Sequence, residues 1–313
     1  MEFAIELENL TKDYKIGFWK KKTVRALDGL TLRVERGQIF GLLGANGAGK
    51  TTTIKLLMRL IFPTYGKAQI LGTDISDIRV HSKIGYCPEN PYFYDYLTAY
   101  ELMIYFGELF GLNQSQRKKK AEELLNLVGL DETDWHKQMR SYSKGMLQRV
   151  GLAQSLINDP EIVFFDEPMS GLDPIGRREV RELIASLRNR GITVFMSTHI
   201  LSDIEVLCDS VAILRKGKLA ATGKLDELLF DSDERQGFEI SLKGVGVEAL
   251  KKEINVEIAE KPTGLTVRVY GREDELEQVI SITKRLGGRV VAVQPIKMSL
   301  EELFVKETKN VEN

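Results

Sequence analysis

Residues 44–51 read Gly44-Ala45-Asn46-Gly47-Ala48-Gly49-Lys50-Thr51, with glycine, lysine and hydroxyl positions at the spacing that phosphate chemistry requires. Glycines let the backbone curl so that successive N–H groups point at an anion. The following helix N-terminus adds a favourable dipole, and Lys50 reaches the β and γ oxygens of a nucleotide. Thr51 offers its hydroxyl to Mg²⁺. An apolar run, 39–43, enters this loop and a helical pattern, 52–60, leaves it, which is the strand, loop, helix context the motif demands. The expected nucleotide contacts are therefore Gly44 through Thr51 together with Thr52.

A second apolar run, 162–165, ends in Asp166-Glu167, which sets two carboxylates at the carboxyl end of a buried strand. Open α/β sheets bind their ligands along that edge. In phosphoryl transfer an aspartate holds Mg²⁺ while a polar group orients the attacking water, so Asp166 is the expected metal ligand and Glu167 the expected catalytic group. An acidic dipeptide alone does no more than end a strand; the upstream phosphate loop is what gives this one a task. A third run, 193–197, passes through Thr198 to His199, where a histidine can sense γ-phosphate or simply hydrogen-bond a helix start. His81 and His136 have no such placement.

The elements that must position these groups are strands and crossover helices. The runs 39–43, 162–165, 193–197 and 211–214 are continuously apolar, as strands covered on both faces are, and helix-length segments separate them. Between about 97 and 158 strand patterns give way to helical ones, at 100–110, 118–128 and 145–156, which predicts a helical insertion. Alternating stretches at 3–7 and 30–34, flanking a polar loop at 15–23, predict a small antiparallel sheet. The charged, turn-rich run DSDERQG ends this alternation. We place a first domain at 1–229, a linker at 230–237 and an α+β accessory domain at 238–313. Its expected order is strand, helix, strand, strand, helix, strand, the split β-α-β repeat of a ferredoxin-like fold, with a last amphipathic helix at 300–306.

At 313 residues the chain exceeds what one hydrophobic core usually holds, and its 43% hydrophobic and 28% charged residues are those of a globular protein. Its 44 basic and 45 acidic side chains leave a formal charge of −1, no field to hold nucleic acid. Cys87 and Cys208 fit no metal or redox spacing and read as buried thiols. No targeting pattern opens the chain and no window approaches the ~18 apolar residues of a membrane span, so a cytoplasmic location is expected.

These ordered motifs resemble the nucleotide-binding subunits of ABC transporters, over residues 3 to about 229. The resemblance implies a P-loop ATPase core with an antiparallel β subdomain and a helical insertion, MgATP as ligand, and hydrolysis between two like subunits, identical or merely similar. It implies that Tyr14 stacks on adenine, that Glu89 stands in the Q-loop as a nucleotide and Mg²⁺ contact, and that Asp173 in Ser170-Gly171-Leu172-Asp173 crosses the dimer interface. It also implies that His199 is the switch histidine and that Ser143 and Gly145 meet the nucleotide of the partner subunit. Two positions depart from the usual pattern. The signature reads Tyr142-Ser143-Lys144-Gly145-Met146, which still sets a hydroxyl and a bare N–H at a helix N-terminus. The Q-loop glutamine is Glu89, which can ligate Mg²⁺ but cannot donate a hydrogen bond.

The tail, with its closing Ser299-Leu300-Glu301-Glu302-Leu303-Phe304, resembles the C-terminal extension of ATPases that serve ABC-2-type exporters. The resemblance therefore implies a peripheral subunit on the inner face of the cell membrane, attached through a separate transmembrane permease and driving export. Two other readings are a soluble ABC ATPase acting on nucleic acid or the ribosome, and a regulatory subunit that binds ATP without cleaving it. A single cassette and near-neutral charge weigh against the first. Lys50, Asp166, Glu167 and His199, all intact, weigh against the second.

Overall fold

The computed structural model describes residues 3–17, 22–230, 237–254, 256–261, 264–270, 273–296 and 299–310. They fall into two compact units, one of Met1–Leu225 with Lys306–Asn313, the other of Asp226–Val305. The expected linker lies mostly at 231–236, outside the described residues.

The first unit opens with a hairpin, β1 (Phe3–Ile16) and β2 (Lys22–Glu35), whose arms run longer than the alternating stretches predict. Residues of the expected loop are strand-paired, Lys15 opposite Thr23 and Ile16 opposite Lys22. Beyond the core each arm needs only backbone ladder bonds, so its side chains can stay wet. β3 (Ile39–Leu43) follows, then α1 (Lys50–Leu57), β4 (Tyr65–Ile70), β5 (Thr73–Asp74) and β6 (Ile84–Cys87). β4 and β5 complete the antiparallel sheet in the order β2-β1-β4-β5.

The helical insertion holds α2 (Ala99–Leu109), α3 (Gln114–Leu127) and α4 (Lys144–Gln154). Their starts are fixed by sequence: reciprocal capping boxes, Thr98 with Glu101 and Asn113 with Gln116, satisfy orphan N–H groups at α2 and α3, and Ser143 caps α4. After it come β7 (Ile162–Asp166), α5 (Pro174–Asn189), β8 (Thr193–Thr198), α6 (Leu201–Leu207), β9 (Ser210–Arg215), β10 (Lys218–Lys224) and α7 (Leu225–Phe230).

The central sheet has the order β10-β9-β3-β8-β7-β6, with β10 antiparallel and the rest parallel. β3, β7 and β8 are buried along their whole length, as their uninterrupted apolar runs require. Phe40, Phe164 and Phe195 form an aromatic cluster across the face that meets α1, Phe40 stacked on Phe195 with centroids 5.5 Å apart and Phe164 tilted against Phe195. Burial of each such ring contributes about 2–3 kcal/mol. On the other face Gly41 lets α6 approach closely: a Cβ there would lie 2.3 Å from Ile204 Cδ1. Because Leu43 pairs with Thr198 and Asp166 with Ser197, the carboxyl ends of β3, β8 and β7 come level on one edge.

The second unit contains β11 (Gly237–Lys243), α8 (Val247–Lys251), β12 (Glu257–Lys261), β13 (Gly264–Tyr270), α9 (Glu273–Arg285) and β14 (Arg289–Pro295). Its sheet order, β12-β13-β11-β14 with every neighbour antiparallel, is that of the split β-α-β repeat, and Ile240, Val267 and Val279 lie in its core. The chain ends in α10 (Leu300–Asn310), begun by a capping box between Ser299 and Glu302.

Candidate functional site

The edge common to β3, β7 and β8 carries a cleft of about 380 Å³. Ala45, Asn46, Gly47, Gly49, Lys50, Thr51 and Thr52 line it on one side, Glu89, Glu167 and His199 on the other. Gly49 caps α1 at φ 111°, in left-handed space that any side chain resists, and a Cβ there would stand 2.7 Å from Ala26 O. The glycine is thus needed twice, for the turn and for the close approach of β2. Gly44 and Ala48 do not line the cleft but shape the loop, Gly44 by accepting from Lys50 through its carbonyl.

Lys50 is 6% exposed, and its ammonium donates to Gly44 O at 2.7 Å and to Ala45 O at 3.4 Å. Its Nζ also stands 3.3 Å from Glu167 Oε1. The second carboxylate oxygen of Glu167 lies 2.9 Å from His199 Nδ1, and the imidazole is about half exposed, open to the cleft mouth. Glu167 thus lies between a cation and a histidine, both on the cleft wall.

Glu167 has φ 49°, which for a residue other than glycine is a strained backbone. The strain is held by its N–H, which donates to Ser197 O at 3.1 Å and to Ser197 Oγ at 3.2 Å. Ser197 Oγ in turn donates to Asp166 Oδ1 at 2.5 Å, and Thr51 Oγ1 reaches the same oxygen at 3.2 Å. One serine of β8 therefore fixes both carboxylates of β7. Sequence reasoning passes over Ser197 and over Ala26, which also lines the cleft. The signal for Ser197 is a hydroxyl that ends the apolar stretch 194–196 just before His199; Ala26 carries none.

Thr51 Oγ1 and Asp166 Oδ1 form a hard-oxygen pair beside the phosphate loop, and Glu89 adds a carboxylate on the same cleft. Among the described residues no three His, Cys, Asp or Glu side chains gather into a metal cage. The Thr51 and Asp166 oxygens beside a phosphate loop are a donor set that fits Mg²⁺, which binds through one or two protein oxygens and completes its shell with phosphate and water.

Other expected residues lie elsewhere. Tyr14 is half-buried on β1, does not line the cleft, and carries the Lys12 ammonium 5.2 Å from its ring centroid. Ser143 accepts from Met146 N at 3.2 Å as N-cap of α4, and Gly145 follows in its first turn; neither borders this cleft. Asp173 spends one carboxylate oxygen on the N-cap of α5, accepting from Gly176 N at 2.8 Å. Among the described residues no helix is long and apolar enough to cross a membrane.

Comparison with known proteins agrees with this geometry. Residues 27–170 match the ABC transporter family. An uncharacterized ABC transporter ATP-binding protein of Synechocystis is 43% identical over 97% of this chain and 84% of its own length. The bacitracin transport ATP-binding protein BcrA of Enterococcus faecalis is 34% identical over 98% of this chain and 96% of its own. An ATP-binding cassette solved as a post-hydrolysis dimer with ADP and Pi superposes with TM-score 0.65 at 26% identity, covering 71% of this chain and 98% of that one. With the P-loop, the paired carboxylates and the histidine on one sheet edge, these matches show that the chain belongs to the ATP-binding proteins of the ABC transporter family.

Proposed function

We propose that the chain hydrolyses MgATP at the interface of two such subunits and passes the closing motion to a separate membrane-spanning permease. The observation that carries this reading is the position of Glu167 between Lys50 and His199 on the cleft wall. In the nucleotide-free arrangement Lys50 is satisfied by loop carbonyls and by Glu167. A γ-phosphate offers the ammonium a stronger partner, which frees Glu167 Oε1 to accept a proton from an attacking water. His199 lines the cleft beside Glu167, where its ring N–H can turn from the carboxylate to the same phosphate. Thr51, Asp166 and Glu89 would hold Mg²⁺, whose charge neutralises the phosphate oxygens as the bond breaks.

The site is incomplete in one chain. As the resemblance implies, Ser143 and Gly145 serve the nucleotide of the partner subunit, where the α4 N-terminus favours an anion. Tyr14 swings onto adenine from β1. The tail's resemblance to the extensions of ABC-2-type ATPases, together with a full-length match to a bacitracin transport protein, favours a transporter of the export type. The subunit then sits on the inner membrane face through its permease, with no nucleic acid partner. Glu167→Gln tests the assignment: it should retain ATP binding, lose turnover by about a hundredfold or more, and accumulate an ATP-bound dimer on size exclusion. Undiminished turnover would sink the role of Glu167.

A further inference from the structure

α6 starts two residues beyond His199, and α5 starts directly after the turn 170–173. A buried acidic side chain of α6 faces α5. Asp203 of α6 is 1% exposed and faces Arg177 and Arg181, one turn apart on α5. Arg181 Nη1 stands 3.5 Å from Asp203 Oδ1, the outer limit of a hydrogen bond. Asp203 Oδ2 and the buried Nε of Arg177 have no hydrogen-bond partner among the described residues. Burial outweighs both guanidinium groups and holds the Asp203 carboxyl above its ordinary range, and the charge of Glu167 pushes it the same way. A buried carboxylate with an unpaired oxygen, near an arginine whose buried Nε–H is also unpaired, leaves two polar groups unsatisfied at considerable cost.

We propose that Asp203 is a positioning residue for hydrolysis: when two subunits close on ATP, its free oxygen engages Arg177, locking α6 to α5 and His199 against Glu167. The inference rests on the hydrolytic reading above. Its physical basis is that His199 is about half exposed and the short segment between it and α6 transmits any shift of that helix. α5 is also paired by Arg149 of α4 to Glu179 and, just past the end of α6, by Arg188 to Asp209 at 2.8 Å. The Asp203 contact is the joint left loose.

The test is steady-state kinetics and thermal melting of the full chain with Asp203→Asn, Arg177→Met, their double variant and Asp203→Glu. Asp203→Asn and Arg177→Met should each lower kcat about tenfold or more while KM for ATP stays within about twofold. The double variant should be no worse than either single, and Asp203→Glu should recover part of the loss. The melting temperature of nucleotide-free Asp203→Asn should hold or rise, because burial costs the Asp203 charge more than the two guanidinium groups return. Wild-type turnover in Asp203→Asn, or losses of turnover that follow losses of melting temperature, would overturn the proposal. A wild-type chain that binds ATP and releases no phosphate would overturn the hydrolytic reading with it, and only that result touches both.

Discussion

Lys50 Nζ lies 3.3 Å from Glu167 Oε1 although Lys50 opens α1 and Glu167 follows β7, and both side chains are more than nine-tenths buried. A buried ammonium and a buried carboxylate stabilise each other only while both are present. In the proposed mechanism a bound phosphate takes the place of the carboxylate beside the Lys50 ammonium. Lys50→Ala should therefore weaken ATP about ten- to a hundredfold, the worth of a charge-assisted hydrogen bond or two, in a titration with a fluorescent nucleotide. Affinity equal to that of the wild type would contradict the exchange.

Ser197 holds Asp166 Oδ1 at 2.5 Å and accepts from the strained Glu167 N–H at 3.2 Å. Ser197→Ala leaves Asp166 with the Thr51 hydroxyl and Glu167 with the Ser197 carbonyl, so the protein should fold. Urea unfolding should show a loss of about 1–2 kcal/mol, and turnover should fall about tenfold with ATP affinity retained. Unchanged turnover would mean that the serine supports the strand and nothing more.

Both cysteines are buried, and burial pushes the Cys87 thiol up to about 12, with the Asp166 charge adding to it. Cys208 is pushed up in the same way, by burial first and then by Asp209. A raised thiol pKa means less thiolate at any given pH. At pH 8 the thiolate fraction of Cys87 is about a thousandfold below that of an ordinary thiol, so the folded protein should resist iodoacetamide and react fully once denatured. Rapid labelling of the native chain, located by mass spectrometry, would show that α6 or β6 opens.

Much of this site is legible from sequence because its members end uninterrupted apolar runs. Leu43 leads to Gly44, Phe165 to Asp166-Glu167 and Met196 to Ser197 through His199, so each functional group is tied to a buried strand whose existence is unmistakable. What spacing cannot show is which strands are neighbours. The Lys50–Glu167 pair and the double hold of Ser197 follow from β8 lying between β3 and β7, an order set by long-range pairing. Ala26 reaches the cleft only because β2 crosses Gly49, a contact with no local signature. β10, Lys-Leu-Ala-Ala-Thr-Gly-Lys, is an edge strand of mixed polarity, and β6 is a four-residue strand before Pro88; neither has length or period enough to announce itself. The tail's topology is legible because its two helices and four strands each carry a clear period.

The most direct test of the account is steady-state phosphate release with MgATP as a function of subunit concentration. If Ser143 and Gly145 complete the site of the partner subunit, the rate per subunit should rise with concentration and saturate, and it should vanish in Lys50→Ala and Glu167→Gln. A rate per subunit that stays constant down to the lowest measurable concentration, in a chain shown to be monomeric there, would contradict the shared site and place the whole of catalysis within one cleft.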